Sequence, residues 1–240
     1  MKLDSTLGAL SSFALLVPVV FILLFKLYKH RSFFALAIYY FISGIYNLAQ
    51  LEIIQIPTKV NYYFGVINNL LDGPLMLIFL CWFSFSPLIT KRIRWAIYIF
   101  LAFEIVVLAI LGFTIATIKV VLAPDILIVL GFTSIFFFRQ IKITVMQQKG
   151  LGKTFMICAV LFAYTLFALI YLFYYLLETP YKEDTMIVYH LVSLLSAGIM
   201  SAGIRIEVNR IKKIKELNKT RRELAALYGK KDTTYLRPSI

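Results

Sequence analysis

Apolar stretches of about twenty residues recur seven times along the chain, near positions 7–28, 33–56, 62–85, 94–116, 119–138, 154–177 and 185–205. Each is long enough to cross the ~30 Å hydrocarbon core of a bilayer as a helix, at 1.5 Å per residue. Short polar segments separate them, so consecutive helices must turn back on one another. The pattern predicts an all-α bundle of seven transmembrane helices over residues 1–205. After it comes a basic segment, 206–240, in which Ile211, Ile214, Leu217, Leu224 and Leu227 form a broken apolar stripe among lysines and arginines. That segment is predicted to be an amphipathic helix that lies on the membrane, pairs with a partner, or continues the seventh span.

The polar residues inside the spans carry most of the information, because an unpaired polar group facing lipid is costly. In the third run, Asn68 and Asp72 are four apart and share a helix face, with Asn69 beside them. They must look into protein or a wet cavity, leaving Leu, Ile and Met for the lipid; Pro74 follows, where a kink is expected. In the second run, Ser43, Asn47 and Gln50 fall at i, i+4 and i+7. Glu104 lies near the middle of the fourth run, and His190 and Ser193 share a face of the seventh with Ala197 and Ser201. The sixth run places Tyr164, Phe167, Tyr171 and Tyr174 at helical spacing, with Tyr174 and Tyr175 suited to an interfacial aromatic belt. The candidate ligand-binding residues are therefore Asn47, Asn68, Asn69 and Asp72 on helices two and three, and Glu104, Tyr164, His190 and Ser193 on helices four, six and seven. Hydrogen bonding between helices is the alternative reading of the same positions. Asp125, directly after Pro124, reads as the outer end of helix five, where the helix dipole favours an acid.

Composition agrees with the pattern: 61% of residues are hydrophobic and the mean hydropathy is +0.84, which excludes a soluble fold around one core. The first run is longer than a signal-peptide core and has no small-x-small cleavage site before Lys26, so it reads as a retained helix. Charge then sets an orientation. Of 25 Lys and Arg, 21 follow helices one, three and five or lie from Arg205 onward. The positive-inside rule places them in the cytoplasm of a cell-membrane protein, with the N-terminus outside. The net charge of +13 thus predicts anionic inner-leaflet lipid as a partner of the tail. Its dispersal over separate loops argues against nucleic acid.

Seven helices, short loops and an external N-terminus resemble the microbial rhodopsin family. The local likeness is Asn68, Asp72 and Pro74-Leu75, set as that family sets a counter-ion, a hydroxyl residue and a Pro-Leu pair. Of its helix-six aromatic pattern only Tyr164 corresponds. The family's helix-three arginine position is Gly65, its aromatic after the counter-ion is Asn69, and its proton donor is Phe79. Helix seven has no lysine, since none occurs between Lys182 and Lys212, so covalent retinal is not implied and no cofactor is expected. What the resemblance implies is an opsin-like bundle with an internal pocket.

Three functions compete. A binding or sensory protein would take a small apolar or amphipathic ligand in the pocket and pass its signal through helix seven, with a cytoplasmic partner or a second copy of the chain as receivers. A proton-coupled transporter or ion channel would use Asp72 and Glu104, neither of which has a Lys or Arg at its depth. A lipid-modifying enzyme lacks a catalytic set, because His190 has no second histidine or nucleophile at its depth. Cys81 and Cys158 form no ligand pair, so no metal site is expected. The KGLGKT segment fails as a phosphate loop because Gln147 stands where its first glycine belongs.

Overall fold

The computed structural model describes residues 3–147, 149–177 and 182–227. Lys2, Glu178 and the chain end with Lys230, Lys231 and Arg237 lie outside them. Among the described residues the secondary structure is entirely helical, and seven helices are long and apolar enough to span a membrane. They are α1 (Leu3–Leu24), α2 (Arg31–Gln50), α3 (Thr58–Leu80), α4 (Pro87–Leu111), α5 (Ile115–Gln147), α6 (Leu151–Tyr171) and α7 (Lys182–Leu227). The chain is thus a multi-pass integral membrane protein by the length and character of its helices.

Helix ends follow local chemistry more than hydropathy. α2 stops at Gln50, six residues before its apolar run ends, where Glu52 takes a left-handed backbone conformation (φ 57°). α3 starts directly after Pro57, so the polar Thr58 and Lys59 are helical. α4 starts at Pro87 because the Ser86 side chain accepts a hydrogen bond from the Ile89 amide (3.3 Å). Its second turn is therefore the basic segment Lys91–Arg94. α3 runs as helix through Pro74 to Leu80. Met76 and Leu77 of α3 are buried, so for these two the expectation of a lipid-facing position is corrected, while Ile67 is exposed as expected.

Six helices pack in a closed ring in the order α1, α2, α3, α5, α6, α7 and back to α1, while α4 lies outside it against α3 and α5. The pattern of α4 explains its place. Its buried residues, Ile93, Ile97, Phe100, Glu104 and Val107, recur every three or four positions and form one stripe. Ile99, Ile105, Val106 and Ile110 on its other faces are exposed. α6 and α7 cross closely where a Cβ on Gly203 would meet Met156 at 2.8 Å and one on Gly152 would meet the Glu207 amide at 2.6 Å.

One end of the bundle is basic. There His30 lies edge-on to Trp82 with ring centroids 5.3 Å apart, Lys153 Nζ sits 5.2 Å over the same indole, and Arg139 stacks 3.3 Å over Phe85. These contacts gather the α1–α2 and α3–α4 turns and the adjoining ends of α5 and α6. α7 reaches this end still buried: Glu207 is 1% exposed and is held by Arg210 through Nε (2.9 Å) and Nη2 (2.5 Å). The span predicted to finish at 205 therefore extends to Val208. Beyond it α7 continues unbroken to Leu227, so of the three arrangements expected for the basic segment the structure has the continuation of helix seven. Ile214, Leu217 and Leu224 are exposed along it.

Candidate functional site

Inside the ring is a cavity of about 540 Å³. Its mouth is at the end away from the basic turns, between Gln50 of α2, Tyr174 and Tyr175 at the end of α6, and Met186 of α7; its floor reaches Met76, Ala159 and Ser196 near mid-bundle. The volume falls in the range of ~300–1,000 Å³ typical of small-molecule sites.

The polar stripes of the sequence meet here. Asn47, Asn68, Asn69 and Asp72 line the cavity from α2 and α3, and Tyr164, His190 and Ser193 line it from α6 and α7. Several of these side chains also hydrogen-bond other groups of the bundle, so they serve the bundle and the cavity together. Ser43 Oγ donates to Asn68 Oδ1 (3.2 Å), Tyr189 Oη to Asn47 Oδ1 (3.3 Å), and Asn69 Nδ2 to the Gly65 carbonyl (2.8 Å). His190 Nδ1 is 3.1 Å from Ser11 Oγ on α1, which is buried and also donates to the Gly8 carbonyl. That link ties the first helix to the cavity wall.

Glu104 does not line the cavity. It points inward from α4, outside the ring, and is 6% exposed with Oε1 unpartnered; Asp72 and Asp125 are the acids it senses electrostatically. The connection between them is Asp125. Because α5 begins at Ile115, Asp125 lies within the helix and not at its outer end, which corrects the dipole reading; it is 1% exposed. Its carboxyl packs on the α3 backbone at Gly73, in the space a Cβ on that glycine would fill, and adjoins Asp72. Tyr164 of α6 and Tyr39 of α2 approach Asp72 from the other side. Four ring helices therefore converge on one carboxyl pair. Tyr164 Oη and the Asp125 carboxyl are buried against Asp72, and Asn47 Nδ2, also on the cavity wall, is buried without a hydrogen-bond partner.

The aromatic stripe of α6 turns inward. Tyr171, Tyr174 and Tyr175 line the cavity, so the pair expected at the interface also forms part of its rim. A π-helical turn over Leu172–Leu176 carries the last two. The Tyr171 hydroxyl donates to the Lys119 carbonyl (2.7 Å), joining α6 to α5 at the mouth. Two contributors, Tyr39 and Asp125, were not read from the sequence as site residues. Tyr39 had a signal, since it stands four before Ser43 on the stripe that continues to Asn47 and Gln50.

The two cysteines are free, and no group of three or more metal-ligating side chains occurs among the described residues. Comparison with family models, with curated proteins and with solved structures returned no match.

Proposed function

We propose that this protein binds a small amphipathic molecule in the cavity of its bundle, as a sensory or receptor-like component of the cell membrane. The observation that carries this reading is the cavity: it has a rim at one end of the bundle, tyrosine-rich walls and a polar floor, the combination that seats an apolar body and orients a polar head. The basic turns and the basic stretch of α7 lie at the opposite end, so by the positive-inside rule the mouth faces outward. α7 links the two sides, because it contributes His190 and Ser193 to the wall and continues about 30 Å beyond Val208 at 1.5 Å per residue.

Native mass spectrometry of the purified protein tests the reading. A retained small molecule is expected on the unaltered chain and its loss is expected in Ala163→Trp, which fills the cavity. Retention undiminished in that variant would sink it.

A second reading, coupling of ion or proton movement to the cavity, is favoured by one observation: Asp72, Asp125 and Glu104 come from three helices to the same level. Under it, Asp72→Asn abolishes transport into vesicles while leaving the fold intact. Under the first reading the same variant keeps the binding of a neutral ligand.

A further inference from the structure

We propose that the ligand of the cavity is an organic cation, a small amphipath with an ammonium head; this rests on the binding function above and names its chemical class.

Charge is the first observation. Among the described residues that line the cavity there is no Lys or Arg, and the ionisable groups other than tyrosines are Asp72 and His190. His190 is engaged by Ser11 across the α1–α7 contact. Asp72 is the acid that lines the cavity; behind it, outside the lining, stand Asp125 of α5 and Glu104 of α4, close enough to act on it electrostatically. Two adjoining carboxyls tend to hold one proton between them, and an arriving cation meets the remaining charge at Asp72 with no competing Lys or Arg among the described lining residues.

The second observation is the aromatic lining. Tyr164 is fully buried and lines the cavity with its hydroxyl beside Asp72. Above it the walls are built of aromatic rings in mutual contact. Tyr39 and Tyr40 meet edge to face at 5.1 Å, Tyr164 and Phe167 at 6.0 Å, and Phe167 stacks on Tyr189 at 5.8 Å. Ring faces attract a desolvated ammonium group, and aromatic walls around a carboxyl are the chemistry that recognises one. A bare divalent ion fits less well, since the described residues offer no cluster of three ligating groups and the space is far larger than an ion.

The test compares three probes of one shape on the purified full chain in zwitterionic nanodiscs: benzyltrimethylammonium, benzyl alcohol and phenylacetate, each titrated by calorimetry. The cation is expected to bind about ten-fold more tightly than the neutral probe, the factor that ~1.4 kcal/mol gives, and phenylacetate is expected not to bind. Asp72→Asn should bring the cation down to the affinity of benzyl alcohol, while Tyr164→Phe, which keeps the ring face, should retain most of the preference. Should Asp72→Asn fail to fold, the three probes on the unaltered chain still decide. Equal binding of cation and alcohol overturns the cation assignment and leaves the binding function standing. Preference for phenylacetate does the same. Binding of none of the three, with no retained native molecule, overturns both.

Discussion

At the scale of single residues, the tightest approach to any described glycine is that of Asp125 to Gly73. The carboxyl of one lies where the other's Cβ would be built, so only glycine allows α5 to bring an acid against α3 beside Asp72. Gly73→Ala is expected to destabilise the protein by roughly 1–3 kcal/mol, as overpacking does, and to be partly rescued by Asp125→Gly. Thermal unfolding of the two single variants and the double variant checks this; additive effects would show that the contact carries no coupling. Asp72 calls for a paired test. Asp72→Leu leaves Tyr164 and Asp125 facing an apolar group and should lose roughly 1–3 kcal/mol. Asp72→Asn keeps size and hydrogen bonding and should lose less, measured on the same unfolding curves. Much of this centre was legible in the sequence, because Asn68, Asp72 and the stripe from Ser43 to Gln50 are polar residues at helical spacing inside apolar runs. Asp125 was not, for a physical reason: Pro124 before an acid resembles a helix start, and proline marks a start only if the preceding turn is not already helical. Here α5 had begun at Ile115. Glu104 was legible as buried, but no spacing rule reveals which neighbour a side chain on a peripheral helix faces.

At the scale of helices, the existence of all seven spans followed from apolar runs, while their ends followed from capping and from charge that the runs conceal. The pair of Glu207 and Arg210 shows why α7 was cut short: the two charges look like an end to hydropathy, yet the half-exposed Arg210 lets Glu207 stay within the packed bundle. Small residues are the other feature whose meaning depends on partners. Gly152 and Gly203 sit where α6 and α7 nearly touch, whereas a Cβ on Gly131 or Gly198 would meet nothing within 4 Å. Gly203→Ala is therefore expected to lower thermal stability by roughly 1–3 kcal/mol. Gly131→Ala and Gly198→Ala should be neutral or stabilise by up to ~1 kcal/mol through helix propensity. Retention of the folded monomer after heating in mild detergent separates the two classes. Equal losses at all three positions would refute the close α6–α7 crossing.

At the scale of the whole molecule, the ring of six helices explains how one chain holds a polar cavity in an apolar medium. α2, α3, α6 and α7 supply most of its polar lining, α1 anchors the wall through Ser11 and His190, and α4 closes the α3–α5 flank from outside with Glu104 in its single buried stripe. The ends of this ring differ in charge, and a direction across the membrane follows. Basic residues near the anionic inner leaflet gain on the order of 1 kcal/mol each, and Lys26, Lys29, Arg31, Lys91, Arg92 and Arg94 occupy turns at one end, on the same side as the extension of α7. The opposite turns carry Lys59 and Lys119 against Glu52, too weak a bias to compete. The mouth of the cavity is thus expected outside, and the free cysteines make the measurement direct. With Cys81 and Cys158 replaced by Ala, a cysteine at the exposed Glu52 should react with a membrane-impermeant maleimide in intact cells, while one at the exposed Lys91 should react only after permeabilisation. The reverse pattern would place the cavity mouth toward the cytoplasm, and with it the compartment from which a ligand reaches Asp72.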